Sequence, residues 1–106
     1  MNKLPEDFKQ KWVAALRSGE YKQGKTTMWN KKENTYCCLG VANVIQGIDL
    51  TKFPQNKLSD TSHEAYDLLP EALRGGYKNI FTCELIKMND GNSDFNEIAD
   101  YIEENL

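Results

Sequence analysis

Tyr36-Cys37-Cys38-Leu39-Gly40-Val41-Ala42 is the most apolar run in the chain and the one place where two cysteines are adjacent. It holds no charge and is flanked by polar turns at residues 31–34 and at Gly47, so any stable fold has to bury it and build a core around it. From Cys38 to Gln46 the segment is too long and too apolar for a strand in so small a domain. The reading that follows is a buried helix closed by Gly47. Gly40, Val41, Val44 and Ile45 are poor helix formers, which leaves a longer strand as the rival.

A chain of 106 residues makes one domain, 1–106, large enough to bury roughly two thirds of its unfolded surface but too small for two cores. With 40% hydrophobic and 27% charged residues the composition is that of an ordered globular protein. The N-terminus carries Glu6 and Asp7 beside its lysines and has no apolar run of signal-peptide length, and no stretch approaches a membrane span. A cytoplasmic protein is expected. Three cysteines at spacings that match no zinc module predict reduced thiols and no structural disulfide. No cofactor is expected.

Amphipathic periods place the flanking elements. Pro5 and the acids Glu6 and Asp7 open a helix in which Phe8, Trp12, Ala15 and Leu16 share one face, and Ser18-Gly19 stops it. Residues 20–25 read as an ordered loop. Thr26-Thr27-Met28-Trp29 and Thr35-Tyr36-Cys37, separated by the turn residues 30–34, read as a β-hairpin. Residues 48–62 connect this hairpin and the buried helix to two short helical pieces, 62–68 and 70–73, the second begun by Pro70 and ended by Gly75-Gly76. Thr82 is placed as the cap of a helix running to Met88, with Leu85 and Met88 facing in. Ser93 is placed as the cap of a last helix in which Phe95, Ile98, Ala99 and Ile102 form the apolar stripe. The expected class is α+β, with about five helices of unequal length around one short hairpin.

Charge is unevenly distributed. Residues 1–32 hold eight Lys/Arg against Glu6, Asp7 and Glu20, a net of +5, whereas residues 84–106 hold Lys87 against seven acids, a net of −6. Either the two segments neutralise each other across the fold, or the basic one serves an anion. The loop from Arg17 to Trp29 supplies the residue types for the second use. Arg17 and Lys25 offer positive charge for phosphate, Ser18 a hydroxyl, Gln23 an amide, and Tyr21 and Trp29 faces on which a base can stack. Its competing explanation is a helix stop followed by a polar turn whose aromatics complete the core. Long nucleic acid fits poorly, because an acidic chain with one small basic stretch binds a polyanion weakly at cellular salt. A small phosphorylated ligand or a protein surface fits better, in a site completed between copies of a homo-oligomer.

Three other constellations are weighed. Cys38 or Cys37 with His63 has the parts of a thiolate hydrolase, against the reading of both cysteines as small buried hydrophobes. Cys37, Cys38, Cys83 and His63 have the atoms of a zinc site, but adjacent cysteines diverge and rarely share one tetrahedral ion. Glu97 and Asp100 lie on the polar face of the last helix as solvated acids, not as an acid/base pair.

The sequence Trp12-Val13-Ala14-Ala15-Leu16-Arg17-Ser18-Gly19-Glu20-Tyr21-Lys22-Gln23-Gly24, the later Tyr36-Cys37-Cys38-Leu39-Gly40-Val41, and the closing Asn89-Asp90 and Phe95-Asn96-Glu97-Ile98-Ala99-Asp100-Tyr101-Ile102-Glu103 resemble a family of small proteins common in bacteriophage and prophage genomes. The resemblance spans nearly the whole chain and departs from the family in residues 48–80. It implies a phage accessory product, of a kind that includes antagonists of host enzymes or host defence and sponges that sequester cyclic-nucleotide immune signals.

Overall fold

A computed structural model describes residues 4–59, 66–75 and 78–106. Helix α1 runs Glu6–Ser18. Pro5 sits one position outside it as the cap, extended at ψ 136°, and its carbonyl accepts the Lys9 N–H at 2.9 Å. Gly19 ends the helix at φ +81°, where a residue with a Cβ would be strained. Trp12 and Leu16 are buried as the period requires, and the stripe is wide enough to take in Val13 as well. α1 lies against both the C-terminal helix and the central one.

The apolar run does form a helix, α2, Cys38–Ile45. Two local devices offset its poor propensities. The Cys37 thiol accepts the Gly40 N–H at 3.3 Å, doing at the N-cap what Ser or Asp usually does. Gly40 lies against the backbone of Met28 so closely that a Cβ there would be 1.9 Å from the Met28 carbonyl oxygen. The strand alternative is thereby settled by packing: the helix spends its glycine on a close crossing rather than on flexibility.

The hairpin is shorter than the sequence suggests. Strand β1, Trp29–Asn30, pairs antiparallel with β2, Thr35–Tyr36, in the register Trp29 to Tyr36 and Asn30 to Thr35. Asn30 belongs to the strand rather than to the turn, and its side chain accepts the N–H groups of Lys32 and Glu33. Thr26 and Thr27 leave the hairpin because Thr27 pairs with Ser59 instead. Residues 22–24 line the other edge of β2: Tyr36 N–H donates to the Lys22 carbonyl and Gly24 N–H to the Tyr36 carbonyl, at 2.8 and 2.7 Å. The expected ordered loop is therefore a third, irregular edge of the sheet.

The connecting segment makes two 3-10 turns, Leu50–Lys52 and Gln55–Lys57, anchored by buried Leu50 and Leu58. Most of the helical piece expected over 62–68, with His63, lies outside the described residues. The piece after Pro70 is a 3-10 turn, Glu71–Leu73. Helix α3 runs Ile80–Asp90 and is capped by Asn79, whose side chain accepts the Phe81 and Thr82 N–H groups. Thr82 is internal, not the cap, because its hydroxyl is committed to the Leu73 carbonyl at 2.6 Å. Leu85 is buried and Met88 half-buried. Helix α4, Phe95–Asn105, is capped by Asp94 in a reciprocal box with Glu97, so Ser93 is one residue too early for the cap. Phe95, Ile98, Ala99 and Ile102 form the buried stripe. The class is α+β; among the described residues there are four α-helices rather than about five, the remaining pieces being 3-10 turns. Among them no helix is long and apolar enough to cross a membrane.

Candidate functional site

The distinctive motifs are first of all scaffold. Cys37 caps α2, and Cys38 is fully buried with its thiol 3.8 Å from the Leu85 carbonyl. The Cys38 carbonyl accepts the Trp12 indole N–H at 2.9 Å, and its N–H donates to Asn89 Oδ1 at 3.1 Å. Asn89, also buried, takes the Gln23 amide on the same oxygen at 3.3 Å and gives its own N–H to the Gly24 carbonyl at 2.8 Å. One asparagine thus ties α3 to the start of α2 and to the 23–24 edge. The three cysteines remain thiols, and no group of three His, Cys, Asp or Glu suited to a metal occurs among the described residues.

Arg17 and Ser18 stand apart from the rest of the expected site. Arg17 donates to Asp100 and to Glu103 on α4, each at 2.7 Å, which raises its pKa further, first through the Asp100 bond and then through that to Glu103. It lines a groove of ≈ 510 Å³ along α1 with Glu6, Lys9, Gln10, Val13, Ala14 and Glu103. The basic and acidic ends of the sequence meet here, as the neutralising reading requires. The Ser18 hydroxyl donates to the Ala15 carbonyl and accepts the Glu20 N–H, which finishes the helix end.

Tyr21 and Trp29 converge instead on Tyr36. Tyr21 meets it edge-on with ring centroids 5.3 Å apart, and Trp29 lies tilted 30° to it at 6.5 Å. The register dictates this: Trp29 and Gln23 are both partners of Tyr36, so their side chains share one side of the sheet, and Tyr21 follows two residues from Gln23. The three rings are half-buried and the opposite side carries buried Thr35. Asn34 fixes the indole by accepting its N–H at 3.0 Å. Tyr36 has its pKa raised by burial and secondarily by Tyr21.

Gln23 joins this ring face to a second groove of ≈ 370 Å³, lined by Gln23, Lys25, Asn89, Gly91, Asn92, Ser93 and Asp94. Its amide is aimed by bonds to Asn89 and to the Ser93 carbonyl, the latter at 2.9 Å. Lys25 is exposed at the rim. Asp94 is spent on the α4 cap and Asp90 on the Thr26 N–H. Of the six expected residues, then, the fold brings Tyr21 and Trp29 together on Tyr36 and sets Gln23 and Lys25 on the second groove, and it leaves Arg17 and Ser18 outside both. Sequence reasoning missed Tyr36, counted into the apolar run, although its alternation with Thr35 marks it as facing the other way.

Residues 4–73 match the model of a family described as a domain of unknown function, DUF8296. The chain belongs to the DUF8296 family. No curated protein and no solved structure matches it. The DUF8296 match contains α1, the hairpin and α2, and with them the whole ring face and Lys25; the far wall of the groove, from Asn89 to Asp94, comes from outside the matched stretch.

Proposed function

We propose that this DUF8296 protein is a non-catalytic binding protein, a phage or prophage accessory product that antagonises host defence by sequestering a small nucleotide-like signal such as a cyclic nucleotide. The observation that carries the reading is the convergence of Tyr21 and Trp29 on Tyr36, joined through Gln23 to a polar groove with Lys25 at its rim. The rings offer a stacking platform for a base, the Gln23 side-chain oxygen, Asn92 and Ser93 offer direction to ribose or base edges, and Lys25 meets phosphate. The acids Asp90 and Asp94 beside the groove keep its positive charge low, which suits a ligand with one or two phosphates over a long polyanion. The face is open, and a second copy closing over it would complete the enclosure of a ligand.

The cysteine hydrolase is the weaker reading, because Cys37 and Cys38 are buried and built into the cap and core. The reading as an inhibitor that covers a host protein draws on Ile80, a large apolar residue 78% exposed at the start of α3. Calorimetric titration with mono- and cyclic dinucleotides, followed by heating to release the ligand, tests all three. Capture in stoichiometric amounts and recovery of intact ligand are expected. Trp29→Ala should weaken capture about ten- to a hundredfold, the worth of one stacked base, while Arg17→Ala, whose charge is committed to α4, should leave it unchanged. Recovery of a cleaved product would replace the sponge with the hydrolase, and absence of capture would favour the protein-surface inhibitor.

A further inference from the structure

Thr26 is held at φ +67°, a conformation that a β-branched residue rarely adopts. The other non-glycine residue at positive φ among those described is Asn34, a type that tolerates it. Thr26 is exposed, so packing does not impose the strain. It is held by Asp90, whose Oδ1 accepts the Thr26 N–H at 2.9 Å and lies 3.4 Å from the Asn89 side-chain amide, and by its own hydroxyl, which donates to the Lys25 carbonyl at 2.7 Å. The segment is fixed on both sides. Before it, the Gly24 carbonyl is taken by Asn89; after it, the Thr27 hydroxyl donates to the Leu58 carbonyl at 2.9 Å, and Met28 is buried. Between these anchors the backbone at Thr26 decides where Lys25 is carried. Lys25 forms no ion pair among the described residues, Asp90 being occupied by N–H donors instead.

We propose that Thr26 and Asp90 form a strained latch that sets Lys25 at the rim of the groove, making both of them positioning residues for the anionic group of the ligand. This rests on the ligand site proposed above. Releasing the carboxylate lets Thr26 relax to negative φ, which swings the preceding Lys25 away from Gln23 and Ser93. The latch also spans the two parts of the site, since the same short segment leads from the groove to Trp29.

Amide hydrogen exchange followed by NMR reads the latch without any ligand, and calorimetric capture of a cyclic dinucleotide reads its consequence. In Asp90→Ala the Thr26 amide should exchange about tenfold faster or more while the Cys38 amide, held by Asn89, keeps its protection; capture should weaken about tenfold. Asp90→Asn keeps an acceptor and should stay within about twofold of the parent in both readouts. Thr26→Gly should melt about 4 °C higher because the strain is gone, yet capture about threefold more weakly because Lys25 is less firmly placed. Unchanged Thr26 protection in Asp90→Ala, or a Thr26→Gly protein that is more stable and captures as tightly as the parent, overturns the latch. A parent protein that captures no nucleotide overturns the ligand site, and the exchange and melting results then still decide the latch.

Discussion

The Cys37–Asn89 centre and the face formed by Tyr21, Trp29, Tyr36 and the neighbouring Lys25 both carry polar groups, and they treat them in opposite ways. Around α2 each polar group seen is turned inward and used: Cys37 caps, the Cys38 N–H and carbonyl are taken by Asn89 and Trp12, and Asn89 spends both ends of its amide. Along the sheet, Tyr21, Trp29 and Tyr36 keep faces partly open, and Lys25 reaches solvent. A closed hydrogen-bond network specifies one arrangement of the chain, whereas a surface with open faces and unspent charge can bind. The motif easiest to recognise in this sequence is thus the one least available for chemistry.

The sharpest way to break the comparison is at its tightest contact. Gly40→Ala forces a Cβ into the Met28 carbonyl, a backbone atom that cannot step aside, and should cost roughly 4 kcal/mol or more in urea denaturation. Ile98→Ala, which empties a fully buried site on α4, should cost roughly 2–5 kcal/mol. Glu97→Gln on the same helix can retain the capping box and should leave the melting temperature near that of the parent. Cys38→Ser places a hydroxyl in the apolar centre and should cost roughly 1–3 kcal/mol if it finds no partner, whereas Cys38→Ala should leave ligand capture intact. A well-folded Cys38→Ala protein without activity would move chemistry back into the core.

The smallest effect concerns the open face. Burial, and to a lesser degree Tyr21, raise the pKa of Tyr36, and burial does the same for Tyr101 with a contribution from Glu84. The folded state therefore holds these protons to higher pH than the unfolded chain. Their contribution to stability is intact below the ordinary tyrosine range and is lost as pH rises through the raised folded values. A phenolate absorbance titration should show Tyr36 and Tyr101 among the late-ionising tyrosines, and Tyr36→Phe should remove one tyrosine from that late class. An unchanged late class in Tyr36→Phe would mean that the ring face is more open than its half-buried state implies.

What could be read in advance follows from the range of the interactions. α1 and α4 were legible because their stripes repeat at the helical period, and α2 because an uncharged run of that length has few other uses. The caps were misplaced at Thr82 and Ser93 because Asn79 and Asp94 are capping residues of the same kind, and only tertiary bonds, such as Thr82 to Leu73, decide between neighbours. Of the proposed site, Tyr21, Gln23, Lys25 and Trp29 stand within a dozen residues and are legible by residue type. The pairing of Arg17 with Asp100 and Glu103, and that of Gly24 with Asn89, join residues too distant in sequence for local pattern to specify.

The burial of Trp12 and its bond to Cys38 have a practical corollary. The chain has two tryptophans; one is sealed in the core with its indole N–H donated to a carbonyl, and the other is half-buried on the ring face. Their fluorescence reports different events. A water-soluble quencher reaches Trp29 and spares Trp12 until the whole domain opens, so a single emission experiment separates occupation of the outer surface from global unfolding without any added dye.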